Sequence, residues 1–112
     1  MIATQKTVAQ ETVLAESVRR LRAMLPAERI YLFGSQARGD ATDDSDYDFM
    51  VVVPRSSLPR YKRDQQAFRA LCGLGVPKDV LVLTREEFTD ALQVPSSLPA
   101  AVVNEGILLY AG

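Results

Sequence analysis

Two aspartates separated by one residue, Asp46 and Asp48, stand at the head of an apolar run, residues 49–53. In an extended strand alternate side chains share a face, so both carboxylates project one way and Tyr47 the other. Two acids about 7 Å apart along a strand repel unless a cation lies between them. Magnesium supplies such a cation, since it commonly uses one or two carboxylates and fills its other positions with water and substrate phosphates. Ahead of the pair, Gly34 and Ser35 close an earlier apolar run. Glycine there permits close backbone approach, and exposed N–H groups with a serine hydroxyl can hold phosphate oxygens. Arg38, three residues on, can neutralise or fork onto the same phosphates. These residue types and spacings point to phosphate chemistry assisted by a divalent metal.

Composition narrows the alternatives. The 112 residues contain no histidine, which closes off Ser-His triads, Cys-His dyads and ordinary zinc hydrolase sites. Carboxylates must carry any chemistry. Thirteen basic and fourteen acidic side chains leave a net charge of -1 and no global field for gripping nucleic acid, so no direct nucleic-acid binding is expected. No stretch is apolar for long enough to span a membrane. The single Cys72 has no internal disulfide partner and the N-terminus lacks a secretory pattern, so the expected compartment is the cytoplasm and Cys72 a buried structural thiol.

The elements that must position the acids follow from periodicity. Leu14, Val18, Leu21 and Leu25 recur at helical spacing across residues 7–25, and Pro26 stops that helix. Residues 29–35 read as a strand running into the Gly-Ser turn, and residues 47–53 as a second strand closed by Pro54. Between them, residues 36–45 read as a brief helical turn followed by an exposed loop. Residues 58–74 read as a helix with Tyr61, Phe68 and Leu71 on its apolar face, ended by Gly73 and Gly75. A third strand over residues 79–84 leads to Thr84, which with Glu87 forms a capping box opening a helix to about residue 93. A last helical turn or two over 99–105 and a short strand at "ILLY" complete an α/β chain of α+β type. The expected fold is a single domain over residues 1–112, a small mixed sheet with helices packed against it.

The stretch "GSQARGDATDDSDYD" resembles the signature of the minimal nucleotidyltransferase (MNT) domain, a branch of the DNA polymerase β-like superfamily: Gly-Ser, ten residues, then Asp-x-Asp. Here ten residues, 36–45, separate Ser35 from Asp46. The leading helix, "DVLVL" and the ending "NEGILLYA" extend the resemblance over nearly the whole chain. The resemblance implies a third acid on the next core strand, and Asp79 opens the only strand available. It further implies two-metal phosphoryl transfer, with Asp46, Asp48 and Asp79 at two magnesium ions and Gly34, Ser35 and Arg38 at the ATP phosphates. Stand-alone proteins of this kind resemble the antitoxins of HEPN/MNT pairs, which implies AMP transfer to a tyrosine of a HEPN ribonuclease toxin and a possible hetero-oligomer.

Plainer readings stand beside these. Asp40, Asp43 and Asp44 read as solvated loop acids. Asp79 can merely end a turn, and Arg38 can pair with a nearby aspartate. The basic run Arg55, Arg60, Lys62, Arg63 and Arg69 reads by default as a solvated helix face, with the nucleotide pocket, an acidic partner or RNA as its alternatives. Two rival functions remain at this level: an aminoglycoside-type small-molecule nucleotidyltransferase that needs a second subunit, and a binding antitoxin without catalysis.

Overall fold

The computed structural model describes residues 8–112, so the predicted Thr7 start of the first helix lies outside the described residues. Its elements run α1 (Val8–Met24), β1 (Arg29–Phe33), α2 (Ser35–Arg38), β2 (Tyr47–Val53), α3 (Arg60–Ala70), β3 (Lys78–Thr84), α4 (Arg85–Leu92), α5 (Leu98–Glu105) and β4 (Ile107–Ala111). The strands form one sheet in the order β3-β2-β1-β4. β1 is antiparallel to β2 and β4, while β2 and β3 are parallel and joined through α3. This is the mixed sheet that the element order predicts.

β2 lies inside the sheet and is buried on both faces, which is why it reads as an almost unbroken apolar run. Tyr47, Phe49, Val51 and Val53 join Ile30, Leu32, Val80 and Val82 in a core closed by Leu14, Leu21 and Leu25 of the first helical segment and Ala67 and Leu71 at the third. Met50 and Val52 face the other way, with Tyr31 and Leu83, against Phe88 of α4 and Val102 of α5. Asp48 belongs to this second face, one strand repeat before Met50. The two helical layers therefore clamp the sheet, and Asp48 and Asp79 stand at the starts of β2 and β3.

Several boundaries and faces differ from expectation. α3 begins at Arg60, not at Leu58, because Leu58 precedes a proline and is disfavoured in helical backbone, and Pro59 itself is the extended N-cap. Its buried face is not Tyr61 and Phe68, which are 62% and 42% exposed, but Arg63, Ala67 and Leu71. Arg63 can be buried because its guanidinium is fully engaged. Nη1 donates to the Val82 carbonyl at 3.1 Å, and both terminal nitrogens fork onto Glu87 at 2.7 and 2.9 Å. Arg63 thus leaves the solvated basic run. Cys72, expected to be buried, lies just beyond the helix and is exposed. The first strand ends at Phe33, and Ser35 already belongs to a helical turn.

The capping box forms as read: the Glu87 N–H donates to Thr84 Oγ1 at 3.2 Å, and the Thr84 N–H donates to Glu87 Oε1 at 2.9 Å. Ser97 caps α5 by accepting from the Ala100 N–H. Among the described residues no helix is long and apolar enough to cross a membrane.

Candidate active site

Strand register brings the acids together. Phe33, the last residue of β1, pairs with Asp48, and Asp48 pairs with Asp79 at the start of β3. Paired residues of neighbouring strands share a face at a spacing of about 4.8 Å, so Asp48 and Asp79 project side by side. Asp46 precedes β2 and is exposed, two residues before Asp48. The Tyr47 N–H donates to the Pro77 carbonyl at 2.9 Å, fixing the residue between the two acids to the entry of β3.

Gly34 follows β1 directly with φ 77°, a conformation that L side chains rarely adopt. A Cβ placed on Gly34 would lie 2.4 Å from Asp48 Oδ2, so the turn and the carboxylate are in close approach and no side chain fits between them. The Gly34 carbonyl accepts from the N–H groups of Ala37 and Arg38, each at 3.1 Å, turning the chain into α2. Ser35 opens that turn, where the first N–H groups of a helix have no intrahelical partner. Gly34→Ala should therefore push Asp48 aside and lower nucleotide transfer by at least about 100-fold, roughly 3 kcal/mol, while the protein stays folded. Steady-state transfer rates beside circular dichroism check this.

The electrostatics single out Asp48. Burial pushes its carboxyl above the ordinary range; the neighbouring charges of Asp46 and Asp79 push it further, and Arg38 acts against them. Arg38 is exposed and only loosely tied, with Nε 3.4 Å from Asp40 Oδ2, so its charge reaches the acid site while its side chain remains available. Asp79 Oδ1 accepts from the Val80 N–H at 2.9 Å, which fixes the orientation of that carboxylate. Asp40, Asp43 and Asp44 are exposed, as read.

The fold adds one residue that spacing did not reveal. Gln36 is buried on α2 and donates from Nε2 to the Ser45 carbonyl at 3.3 Å, joining the phosphate-side turn to the residue before Asp46. A lone glutamine inside "GSQAR" carries no periodic signal, so only the three-dimensional path of the loop exposes this tie.

The glycine-serine turn thus lies against paired carboxylates at one end of a mixed sheet. Residues 14–109 match the nucleotidyltransferase domain family, and the chain belongs to it. Among curated proteins it is 33% identical over 55 residues to a Methanocaldococcus jannaschii protein provisionally named a protein adenylyltransferase. That match covers 49% of the chain and 54% of the relative, so the chain spans about half of that protein's length.

Among solved structures it resembles a provisionally named nucleotidyltransferase of Sulfolobus solfataricus, with TM-score 0.62 and 24% identity over 96% of this chain and 90% of that one. It also resembles a chain in the complex of a tri-AMPylated Shewanella oneidensis HEPN toxin with its MNT antitoxin. There the TM-score is 0.59 and the identity 23%, over 92% of this chain and 73% of that one. A chain in a toxin-antitoxin structure with AMP-PNP gives TM-score 0.63 at 24% identity, covering 88% and 73%. At these identities the structural likenesses establish the fold.

Proposed function

We propose that the protein is a magnesium-dependent adenylyltransferase that moves AMP from ATP to a hydroxyl, and that it acts as an antitoxin by modifying a tyrosine of a partner HEPN ribonuclease. The observation that carries the transferase reading is the row Gly34, Asp48, Asp79, in which the Gly34 turn abuts Asp48 and Asp48 pairs with Asp79 in strand register. The toxin partner is supported by what the solved relatives were found with.

The donor set fits magnesium: it is all oxygen, and burial with like charge leaves Asp48 wanting a cation. Among the described residues no three acids converge closely enough to hold an ion alone. That open arrangement suits an ion that keeps water and substrate phosphates as its other ligands. When bound, magnesium would neutralise the triphosphate and ease ionisation of the acceptor hydroxyl.

The residues divide the remaining work. Ser35 and the backbone at Gly34 receive the β- and γ-phosphates, and Arg38 offsets their charge. Asp46 and Asp48 would hold the magnesium beside the α-phosphate. Asp79, oriented through the Val80 N–H, takes the acceptor's proton as the acceptor oxygen bonds to the α-phosphorus. The bond from that phosphorus to the β-bridging oxygen breaks, and pyrophosphate leaves on the Gly34 side.

Parallel reactions with ATP labelled at the α- or the γ-phosphate test this, with magnesium and the product of the neighbouring gene as acceptor. Label from the α-position should become protein-bound, and label from the γ-position should leave as pyrophosphate. Protein-bound γ-label would instead indicate a kinase.

A further inference from the structure

We propose that the cleft between α3 and the outer edge of β3 is the acceptor site, and that it takes a tyrosine-bearing protein segment flanked by acidic residues. This rests on the transferase reading and specifies the acceptor side of the same site.

The sheet order sets the geometry. β3 is an edge strand, and the Gly34 turn lies two strands away, roughly 10 Å across the sheet. In phosphoryl transfer the attacking and leaving oxygens lie roughly in line on opposite sides of phosphorus. With pyrophosphate departing on the Gly34 and Arg38 side, the nucleophile must arrive from the β3 side. A cleft of about 450 Å³ opens there, lined by Tyr61, Asp64, Phe68, Arg69, Asp79 and Leu81. Asp79 thus faces both the acid row and the cleft.

The walls specify the occupant. Tyr61 and Phe68 stand seven residues apart, two helical turns, and both are exposed beside the cleft. Lys78 Nζ lies 5.2 Å above the Phe68 ring, bringing a cation to the same wall. Lys62 and Arg69 recur on α3 at the same spacing and are exposed. The nearby acids are already assigned: Asp64 Oδ1 accepts from the Val82 N–H at 2.8 Å, and Asp79 is the acceptor's base.

The outward N–H and C=O of Val82 are taken by Asp64 and Arg63, so the β3 edge cannot extend by adding a strand at that point. Recognition falls to side chains, an aromatic floor with a basic rim. That chemistry fits an aromatic acceptor with acidic neighbours.

The test uses the full chain with magnesium and a non-hydrolysable ATP analogue. Two fluorescent peptides serve as probes, one with a single tyrosine flanked by glutamates and one flanked by lysines, read by anisotropy. The acidic peptide should bind at least about tenfold more tightly, with the gap shrinking as salt rises. Phe68→Ala and Arg69→Glu should each weaken it at least about fivefold while ATP affinity stays within about twofold, since both side chains are exposed.

Equal binding of the two peptides, or variants without effect, would overturn the proposal. Loss of ATP affinity in these variants would overturn it too, and would assign the cleft to the nucleobase. The acidic peptide bound in the cleft but never labelled by ATP would sink the transferase reading and the acceptor role with it, leaving a peptide-binding cleft. Labelling of a protein acceptor that is indifferent to Phe68 and Arg69 would overturn this proposal and leave the transferase reading standing.

Discussion

Asp48→Asn should abolish AMP transfer and make the protein more stable. The loss should be on the order of a thousandfold or more, about 4 kcal/mol of transition-state stabilisation. The substitution removes the carboxylate nearest the Gly34 turn and at the centre of the acid row. The gain in stability has a separate cause. Burial, Asp46 and Asp79 hold the Asp48 carboxyl above its unfolded value of 3.8, so its ionised form costs stability in the folded state.

That cost is absent below the unfolded value and grows as pH rises through the folded one. The melting temperatures of wild type and variant should therefore coincide in acid and diverge toward neutral pH, with the variant higher. Magnesium with an ATP analogue should raise the wild type's melting temperature and leave the variant's unchanged. An unfolded variant, or a fully active one, would show that Asp48 has another role.

Glu87→Ala carries the largest expected loss of stability, about 3 kcal/mol, or a fall in melting temperature on the order of 10 °C. Glu87 itself is partly in water, so little of this comes from its own ion pair. The loss comes from Arg63, 6% exposed, which would keep a buried charge without its partner. Loss of the Glu87 half of the Thr84 capping box adds to it. The Arg63 pair, then the Thr84 N–H, hold the Glu87 carboxyl down at about 2 against 4.5 unfolded.

Its contribution is therefore complete above pH 4.5 and is lost as pH falls toward about 2, a window that urea denaturation at stepped pH can resolve. Arg63→Met combined with Glu87→Gln should recover part of the loss, because neither charge is then stranded. Arg63 and Asp64 also latch α3 onto β3, the strand that carries Asp79, so the variant should lose activity at temperatures below its melting point.

The sheet was legible because β2 and β3 are short, apolar and bounded by turn residues, and α4 because Thr84 and Glu87 announce its start. Two-residue alternation placed Asp48 on β2, whereas Asp46, expected on the same strand, falls just before it, because β2 begins at Tyr47. The third acid needed the pairing of β2 with β3, which no local pattern encodes; a resemblance supplied it, and the register places Asp79 beside Asp48.

The helix that misled is α3. Tyr61, Phe68 and Leu71 suggested an apolar face, but packing kept only Leu71 of these and added Ala67, and Arg63 became buried because a carboxylate 24 residues away neutralises it. Tyr61 and Phe68 were thereby left in the open beside Asp79. Cys72 follows the same logic, since one turn past Arg69 its side points to solvent.

The central claim is that the acids beside Gly34 transfer AMP to a partner protein. Co-production of the neighbouring gene product with wild type or with an Asp46→Ala, Asp48→Ala double variant, followed by intact-mass measurement of that partner, tests it most directly. Wild type should leave one or more added AMP masses on the partner and the double variant none, with the ribonuclease silenced only in the first case. An unmodified partner that either protein silences equally would contradict the claim.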